Sequence, residues 1–498
     1  LWLVTLDRRS KVPLHDQILK QLRQAIVERR LRPGDPLPSS RGLAADLKVA
    51  RATVVLAYDH LRAEGWLDAR IGSVTRVGTA VDLEPAATRA GAAAASRPGA
   101  LSLRGRAILQ AHRDQSLPEP FIEGPRPFAT GQPAVDLFPT EVWGRLLATR
   151  WRKFTARALG YGDPRGVTEL REAIAAYLGR ARGLSCHPDQ VFVTQGAQHG
   201  LDLLGRLLLD PGDQVWMEEP GYPVARIAFV AAGAVSVPIP VDEEGLQVER
   251  GVREAPQAKV AFVTPARQMP LGGVMSDARR RALLTWAAAD PRRWVIEDDY
   301  DSEFRYATRQ VAALAALDTS GSVVHVGTFT KLLFPALRLG YLVVPASLVE
   351  PCVAARQAMD FASPMLEQAV MADFLKGGHF DRHIRRVRTA YRSRLDALQH
   401  AVGEHMAGLA HLEPADAGRA VVLWLDGGLQ EPAVVRAAEQ VGISVTPLSR
   451  FYAPVDDTRT ASRPSRAGVV LGYGGLRERE IRDGIERLAA VLSRLRVA

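Results

Sequence analysis

The sequence predicts a multidomain chain of two unlike parts. A mainly helical winged helix-turn-helix occupies residues 1–80, and an α/β domain occupies 127–498 after a linker over 81–126. Three observations lead there. The first 80 residues hold a helix, a helix-turn-helix and two short extended runs, in that order. Residues 81–126 lose any sustained apolar period. From 127 onward, short β-branched or aliphatic runs alternate with amphipathic helical stretches, the pattern of a mostly parallel sheet covered on both faces.

In the head, "VPLHDQILKQLRQAIVERRLRPGD" predicts a helix opened near Pro13 and closed before Pro33-Gly34. Leu14, Ile18, Leu22 and Ile26 form its buried stripe. "PSSRGLAADLKVARATVVLAYDHLRAEG" predicts two short helices about a turn at Lys48-Val49. Ser39 or Ser40 caps the first, and Val54, Tyr58 and Leu61 stripe the second. "GWLDARIGSVTRVG" predicts a hairpin or wing around Ile71-Gly72-Ser73. The head carries 14 Lys/Arg against 8 Asp/Glu, so +6 of the chain's +9 lies there and a polyanion partner is expected for this part alone. A helix-turn-helix lays the start of its second helix on base edges in the major groove, so Arg51 and Thr53 of "ARAT" are candidates for base or phosphate contacts. Arg41 would meet the backbone, and Arg70 with the Gly72-Ser73 turn would set the wing beside the groove. A solvated basic face on a small interaction domain is the plain alternative; the order of elements speaks against it.

The segment "VDLEPAATRAGAAAASRPGALSLRG" is rich in Ala, Gly, Pro and Arg and reads as a flexible linker. At 498 residues the chain needs more than one core. No apolar run approaches the ~20 residues of a membrane span. No basic start followed by an apolar run opens the chain, so no signal peptide is expected. Cys186 and Cys352 stand far apart without a CxxC, which argues against a disulfide framework or a metal site. A cytoplasmic protein is expected.

In the second part, "QVFVT", "DQVWME", "KVAFVTP", "RWVIEDD", "SVVHVGTF" and "RLGYLVVP" predict strands; "GVTELREAIAAYLGRA" and "ARRRALLTWAAAD" predict helices. A large lobe is expected over about 150–380 and a smaller α/β lobe over 381–498. Within "GTFTKLLFPALRLGYLVVP", Lys331 and Arg338 are lone cations in an apolar setting, and burying them requires a partner. A lysine that bonds pyridoxal phosphate needs companions: a carboxylate for the pyridine nitrogen, a phenol for the ring oxygen, and an arginine plus helix N-terminal amides for the phosphate. "IEDDYDSEF" supplies Asp298 and Tyr300 at a strand end, and "TQGAQHGLDLL" puts Gly196, Ala197 and Gln198 at a strand-to-helix turn. Thr328 and Thr330 precede the lysine, and Arg338 follows it. Each residue alone has a bland reading; their conjunction in this order points to the cofactor.

The head resembles the DNA-binding domain of the GntR regulators through "PLHDQI", "LRPGDPLPSSRGLA" and "RATVVLAYDHLRAEG". It departs at Ala50, where that family usually has a serine cap worth ~1 kcal/mol, and at Val74, where it usually has glycine. Residues 127–498 resemble fold-type I aminotransferases, and the whole chain resembles the MocR family of bacterial regulators. The resemblance implies Lys331 as the internal aldimine, Asp298 on the pyridine nitrogen and Tyr300 on the ring oxygen. It implies Arg338, Thr328, Thr330 and the Gly196–Gln198 turn on the phosphate. Tyr222 of "EEPGYP" matches the aromatic stacked on the ring. Tyr161 of "GYGDPRG" matches a tyrosine that reaches the phosphate from a neighbouring subunit, which implies a homodimer, with heads swapped head-to-tail.

Two departures bear on the ligand. Where aminotransferases carry Asn-Pro-x-Gly, this chain has "ARQMPLGG", with Met269 before the proline and Gln268 one place off. Where they carry an arginine for the substrate carboxylate, "VVLGY" places Val470; Arg463, Arg466 and Arg226 are nearby but unassigned. The resemblance therefore implies a transcription regulator that binds operator DNA and senses pyridoxal phosphate, or an amine that bonds it at Lys331, using an aminotransferase-like domain as sensor rather than enzyme. The missing arginine leans toward the cofactor alone or toward a ligand without an α-carboxylate. The alternative is a working aminotransferase with an accessory DNA-binding domain; a cofactor-free scaffold is the weaker third reading.

Overall fold

A computed structural model describes residues 4–68, 74–78, 101–115, 126–153, 155, 160–306, 311–454 and 466–497. The chain divides into two compact units, residues 1–100 and 101–498. Among the described residues no helix is long and apolar enough to cross a membrane.

The first unit contains α1 (Leu14–Val27), α2 (Ser40–Leu47), α3 (Arg51–Ala63), β1 (Leu67–Asp68) and β2 (Arg76–Val77). Ser39 is the residue that caps α2, its hydroxyl accepting from Gly42 N at 3.0 Å. Lys48 makes the turn in the left-handed region at φ +52°. Ile18, Leu22 and Ile26 from α1, Leu43 from α2, and Val54, Tyr58 and Leu61 from α3 close a common core; Leu14, expected in the same stripe, is half-buried and outside that cluster. The Tyr58 hydroxyl, buried among them, donates to Pro38 O at 3.1 Å. Antiparallel pairing of Leu67 with Val77 and Asp68 with Arg76 forms the base of the wing.

The expected linker is corrected in part: residues 103–115 form a helix, α4 (Leu103–Gln115), which packs on the second unit. Ser102 starts it, its hydroxyl accepting from Gly105 N at 3.0 Å. Its half-buried residues are Gly105, Ala107 and Ala111, small residues that give no apolar period. The rest of 81–126, apart from residues 101, 102 and 126, lies outside the described residues.

The second unit continues with α5 (Thr140–Arg152), α6 (Thr168–Arg182), α7 (Ala197–Leu208) and α8 (Pro223–Ala232), and α4 lies against α8. Its main sheet holds β3 (Val191–Thr194), β4 (Gln214–Glu219), β5 (Val235–Asp242), β6 (Gly245–Leu246), β7 (Val260–Val263), β8 (Trp294–Asp299), β9 (Val323–Thr328) and β10 (Gly340–Val343). Their order is β3-β10-β9-β8-β7-β4-β5-β6. The β5-β4-β7-β8-β9 run is parallel, β10 is antiparallel to both neighbours, and β6 is antiparallel to β5. All six quoted strands form. Strand β5 goes beyond them: Pro238 and Pro240 argue against a strand, and β5 tolerates them one place from the sheet edge.

Alternation sends successive side chains to opposite faces. On β8, Ile296 joins the core under α7 and α8, while Val295 joins the opposite core with Trp216 and Trp286. The small lobe is an antiparallel sheet of β11 (Ala410–Leu412), β12 (Ala420–Leu425), β13 (Thr446–Pro447) and β14 (Gly468–Gly472), in the order β11-β12-β14-β13. Phe128 is buried against it, and Gly472 N donates to Phe128 O at 2.9 Å.

Candidate functional site

The carboxyl ends of β3, β4, β7, β8 and β9 point toward the small lobe. Open α/β sheets bind ligands at such edges. Here lies a cavity of about 270 Å³, near the lower end of the roughly 300–1,000 Å³ usual for small-molecule sites. It brings together Gly196, Ala197, Gln198, Tyr222, Asp298, Tyr300, Thr328, Thr330, Lys331 and Arg338, every cofactor residue expected from the sequence except Tyr161.

Strand β8 explains how so many acids coexist. Glu297 and Asp299 face away from the cavity. Glu297 accepts from Leu314 N (2.6 Å) and Ala315 N (3.0 Å), and Asp299 pairs with Arg182 at 2.7 Å. Asp298 faces the cavity, 4% exposed, and its Oδ1 has no partner among the described residues. Burial and the neighbouring Asp299 push its carboxyl up to about 7. A buried carboxylate oxygen without a donor suits a protonated ring nitrogen. Next to it, the Tyr300 hydroxyl accepts from Arg267 Nη1 at 3.4 Å, and burial pushes the phenol up to about 12.

At the other end, Gly196 opens α7 at φ +86°, with Ala197 and Gln198 in the first turn. A Cβ at Gly196 would stand 3.3 Å from Arg338 Nη2. Arg338 is itself left-handed, at φ +48°, and donates to Gln195 O at 3.0 Å. Gln198 donates to Val224 O at 3.2 Å, which ties this turn to α8, where Tyr222 sits at the N-cap. Helix amides, a guanidinium and the buried Thr328 and Thr330 make a phosphate-sized anion cradle. Lys331 lies between the two ends. Burial, then Arg419 and Arg338, hold its ammonium down to about 8. The residues fit pyridoxal phosphate at both ends and in the middle.

Tyr161 is 91% exposed and outside this cavity, its ring 5.4 Å from that of Phe361. Gln268 does not stand in for an asparagine: its amide donates to Pro220 O (2.7 Å) and Met269 O (2.8 Å), and Met269 lines the cavity instead. Val470 does line it, opposite Val422 on β12. Arg226 is buried against Glu219 at 3.1 Å, and Arg466 bonds Glu413 at 2.8 Å; neither is among the cavity's lining residues. Arg463 lies outside the described residues.

The lining also holds charged residues beyond those expected, Arg267, Asp301, Arg419 and Arg450. Arg267 and Asp301 stand inside "ARQMPLGG" and "IEDDYDSEF", beside residues already singled out. Arg419 has only one cue, a lone arginine immediately before the apolar strand "AVVLWL".

In the head, Arg41 and Arg51 are exposed and Thr53 is half-buried. Arg51 is the first residue of α3, with its Nε 3.3 Å from Ser40 Oγ, and Ala50 at the N-cap makes no side-chain bond. Arg70, Gly72 and Ser73 lie outside the described residues.

Residues 14–77 match the family of bacterial regulatory proteins, gntR family, and residues 128–465 match aminotransferase class I and II. The chain is 38% identical to the probable rhizopine catabolism regulatory protein MocR of Rhizobium meliloti, over 98% of this chain and 95% of that one. It is 30% identical to the HTH-type pyridoxine biosynthesis transcriptional regulator PdxR of Corynebacterium glutamicum, over 98% of each. Among solved structures, an archaeal alanine:glyoxylate aminotransferase superposes with a TM-score of 0.69 at 27% identity, covering 79% of this chain and 98% of that one.

Proposed function

The chain belongs to the MocR-type regulators of the GntR family, and on that premise we propose that it is a pyridoxal phosphate-dependent transcription regulator whose aminotransferase-like domain is a sensor. Its signal is the cofactor itself or a small amine that competes with Lys331 for it. The observation that carries this reading is one chain holding both a helix-turn-helix that matches the gntR family and a cavity that gathers a lysine, an arginine and a buried carboxylate without a partner among the described residues.

Bound pyridoxal phosphate supplies an aldehyde carbon that bonds a primary amine. Every other part is the protein's own. Asp298 holds the ring nitrogen, and Tyr300, fixed by Arg267, reaches the ring oxygen. Tyr222 covers one face of the ring. Arg338, Thr328, Thr330 and the Gly196–Gln198 turn grip the phosphate. Lys331, with its pKa held near 8, keeps a fraction of neutral amine at physiological pH. In the head, Arg51 and Thr53 contact base edges or phosphates, Arg41 the backbone, and Arg70 with Gly72-Ser73 the groove edge. The protein acts as a homodimer in which the exposed Tyr161 completes the partner's phosphate site and the heads are exchanged.

Two measurements on one preparation test this. A regulator binds double-stranded DNA upstream of its own gene and gives at most a single half-reaction with an amino acid. Sustained turnover between an amino acid and a keto acid, with no DNA binding, would favour an aminotransferase with an accessory head.

A further inference from the structure

The corner after the helix Val349–Met359 carries a residue type that its backbone disfavours. Asp360 ends that helix, and Phe361 follows in the left-handed region at φ +62°. A left-handed residue just past a helix end is usually glycine, because a Cβ there crowds the backbone. Phe361 is also 57% exposed, so its ring gains little by burial to offset that strain. Its side chain needs another reason to stand there.

That ring meets Tyr161, with centroids 5.4 Å apart and planes 34° from parallel. Tyr161 is 91% exposed, so little else restrains its own ring. The chain on either side of the contact is fixed. Beyond Tyr161, Val167 N donates to Gln368 Oε1 at 2.8 Å, and Val193 N donates to Arg165 O at 2.7 Å. Gly162 lies so close to Met365 that a Cβ there would displace the thioether. On the other side, the fully buried Arg356 donates to both carboxylate oxygens of Asp360 (2.8 and 3.3 Å). It also donates to Ser363 Oγ (3.1 Å) and Val193 O (2.7 Å).

The same corner is tied to the phosphate turn. His199, in the first turn of α7, accepts from Gln195 N at 3.1 Å on Nδ1, and its Nε2 lies 3.6 Å from Asp360 Oδ2. Val193, which Arg356 holds, lies on β3, the strand that leads into Gly196. Two neighbouring residues therefore have different tasks. Asp360 braces the chain's own anion cradle, and Phe361 braces a tyrosine that stands outside it.

We infer that Phe361 is a positioning residue: its ring holds Tyr161 in the orientation in which the phenol meets the cofactor phosphate in the partner subunit. This rests on the dimer reading proposed above and adds to it the residue that orders Tyr161. The corner sets where the Phe361 ring stands, and the aromatic contact orders the phenol in advance. Binding then avoids much of the entropy cost of fixing a free side chain.

The test strips full-length protein of cofactor and titrates it with pyridoxal phosphate and with pyridoxal, following the absorbance of the bound aldehyde. Both probes carry the aldehyde that bonds Lys331, so the ratio of their affinities reads the phosphate contacts and cancels effects on the lysine. Tyr161→Phe keeps the ring and loses the hydroxyl, and the ratio falls about tenfold, as for one hydrogen bond to a charged group. Phe361→Leu lowers it about threefold, as for the loss of an aromatic pair. Phe361→Tyr retains the native ratio. In the Tyr161→Phe background, Phe361→Leu has no further effect, because the ring acts through the phenol. Phe361→Gly guards against misfolding: it suits the left-handed backbone, so the chain folds, and it too loses the ratio. If Tyr161→Phe lowers the ratio while Phe361→Leu or Phe361→Gly leaves it unmoved, the positioning role alone is overturned. Equal losses from Phe361→Leu in both backgrounds overturn it as well. If Tyr161→Phe leaves the ratio unchanged, the dimer reading of Tyr161 fails and the positioning role with it.

Discussion

Gly196 and Arg338 are fitted to one another. The glycine turns from β3 into α7 at φ +86° and ψ 171°, and a side-chain carbon there would sit 3.3 Å from Arg338 Nη2. That backbone region is open essentially to glycine alone, so Gly196→Ala costs about 1–3 kcal/mol of strain and also presses on the guanidinium proposed to hold the phosphate. Cofactor affinity is expected to fall by roughly tenfold or more, a factor equivalent to about 1.4 kcal/mol. Absorbance titration of stripped protein checks it; unchanged affinity would mean that the cradle is elsewhere.

Lys331 gives a pH-dependent stability with a definite sign. Its folded value of about 8 lies below its ordinary 10.5, so below pH 8 the folded chain bears a charge its cavity disfavours. Between pH 8 and 10.5 the unfolded chain binds a proton that the folded one lacks, and stability from this group rises with pH. The full shift corresponds to about 3 kcal/mol; the side chain is only half-buried, and solvent screening leaves about 1–2 kcal/mol. Cofactor-free Lys331→Met is therefore more stable than native at pH 7, and the gap closes toward pH 10.5. Denaturant midpoints at three pH values decide it, and a gap independent of pH would contradict it.

Gly418 leaves the space that the Arg267 guanidinium fills. At φ +88°, a Cβ there would stand 2.3 Å from Arg267 Cζ. Gly418→Ala adds backbone strain to displacement of a buried, hydrogen-bonded guanidinium, and a loss of about 2 kcal/mol or more is expected. Gly179→Ala on α6 is the control: its Cβ meets nothing within 4 Å, and a gain of up to ~1 kcal/mol follows from helix propensity. Thermal unfolding of both variants separates the two effects.

How legible this site was depends on how local each signal is. Asp298 and Tyr300 could be read because a strand ending in acids must send alternate ones to opposite faces. Lys331 and Arg338 could be read because lone cations in an apolar run need a partner. Arg419 could not, because its meaning comes from Asp301, 118 positions away, and from a strand pairing absent from the local pattern. Helix α4 was hidden for a similar reason: Ser102 caps it locally, but it packs against α8 with only Gly105, Ala107 and Ala111 half-buried, and these make no apolar stripe. Strand β5 was hidden by its own prolines, which only its place near the sheet edge excuses.

The uncapped start of α3 supplies a prediction in the head. Ala50 makes no side-chain bond at the N-cap. Ala50→Ser restores an acceptor for the first-turn amides, and α3 gains about 0.5–1 kcal/mol. Hydrogen exchange on the full chain should show slower exchange of α3 amides and no change in the helix His379–His405. Equal exchange in both chains would show that water already caps this end as well.

The most direct test of the account is DNA binding read against the state of the cofactor site. Native protein and Lys331→Ala are each stripped of pyridoxal phosphate, then refilled, with and without a small primary amine, and their affinity and footprint on the upstream DNA are compared. The account predicts that refilling, or refilling followed by the amine, changes affinity or footprint for native protein, and that Lys331→Ala loses that response. Affinity and footprint that stay the same in every state would contradict it, leaving a head and an aminotransferase-like domain that share a chain without sharing a signal.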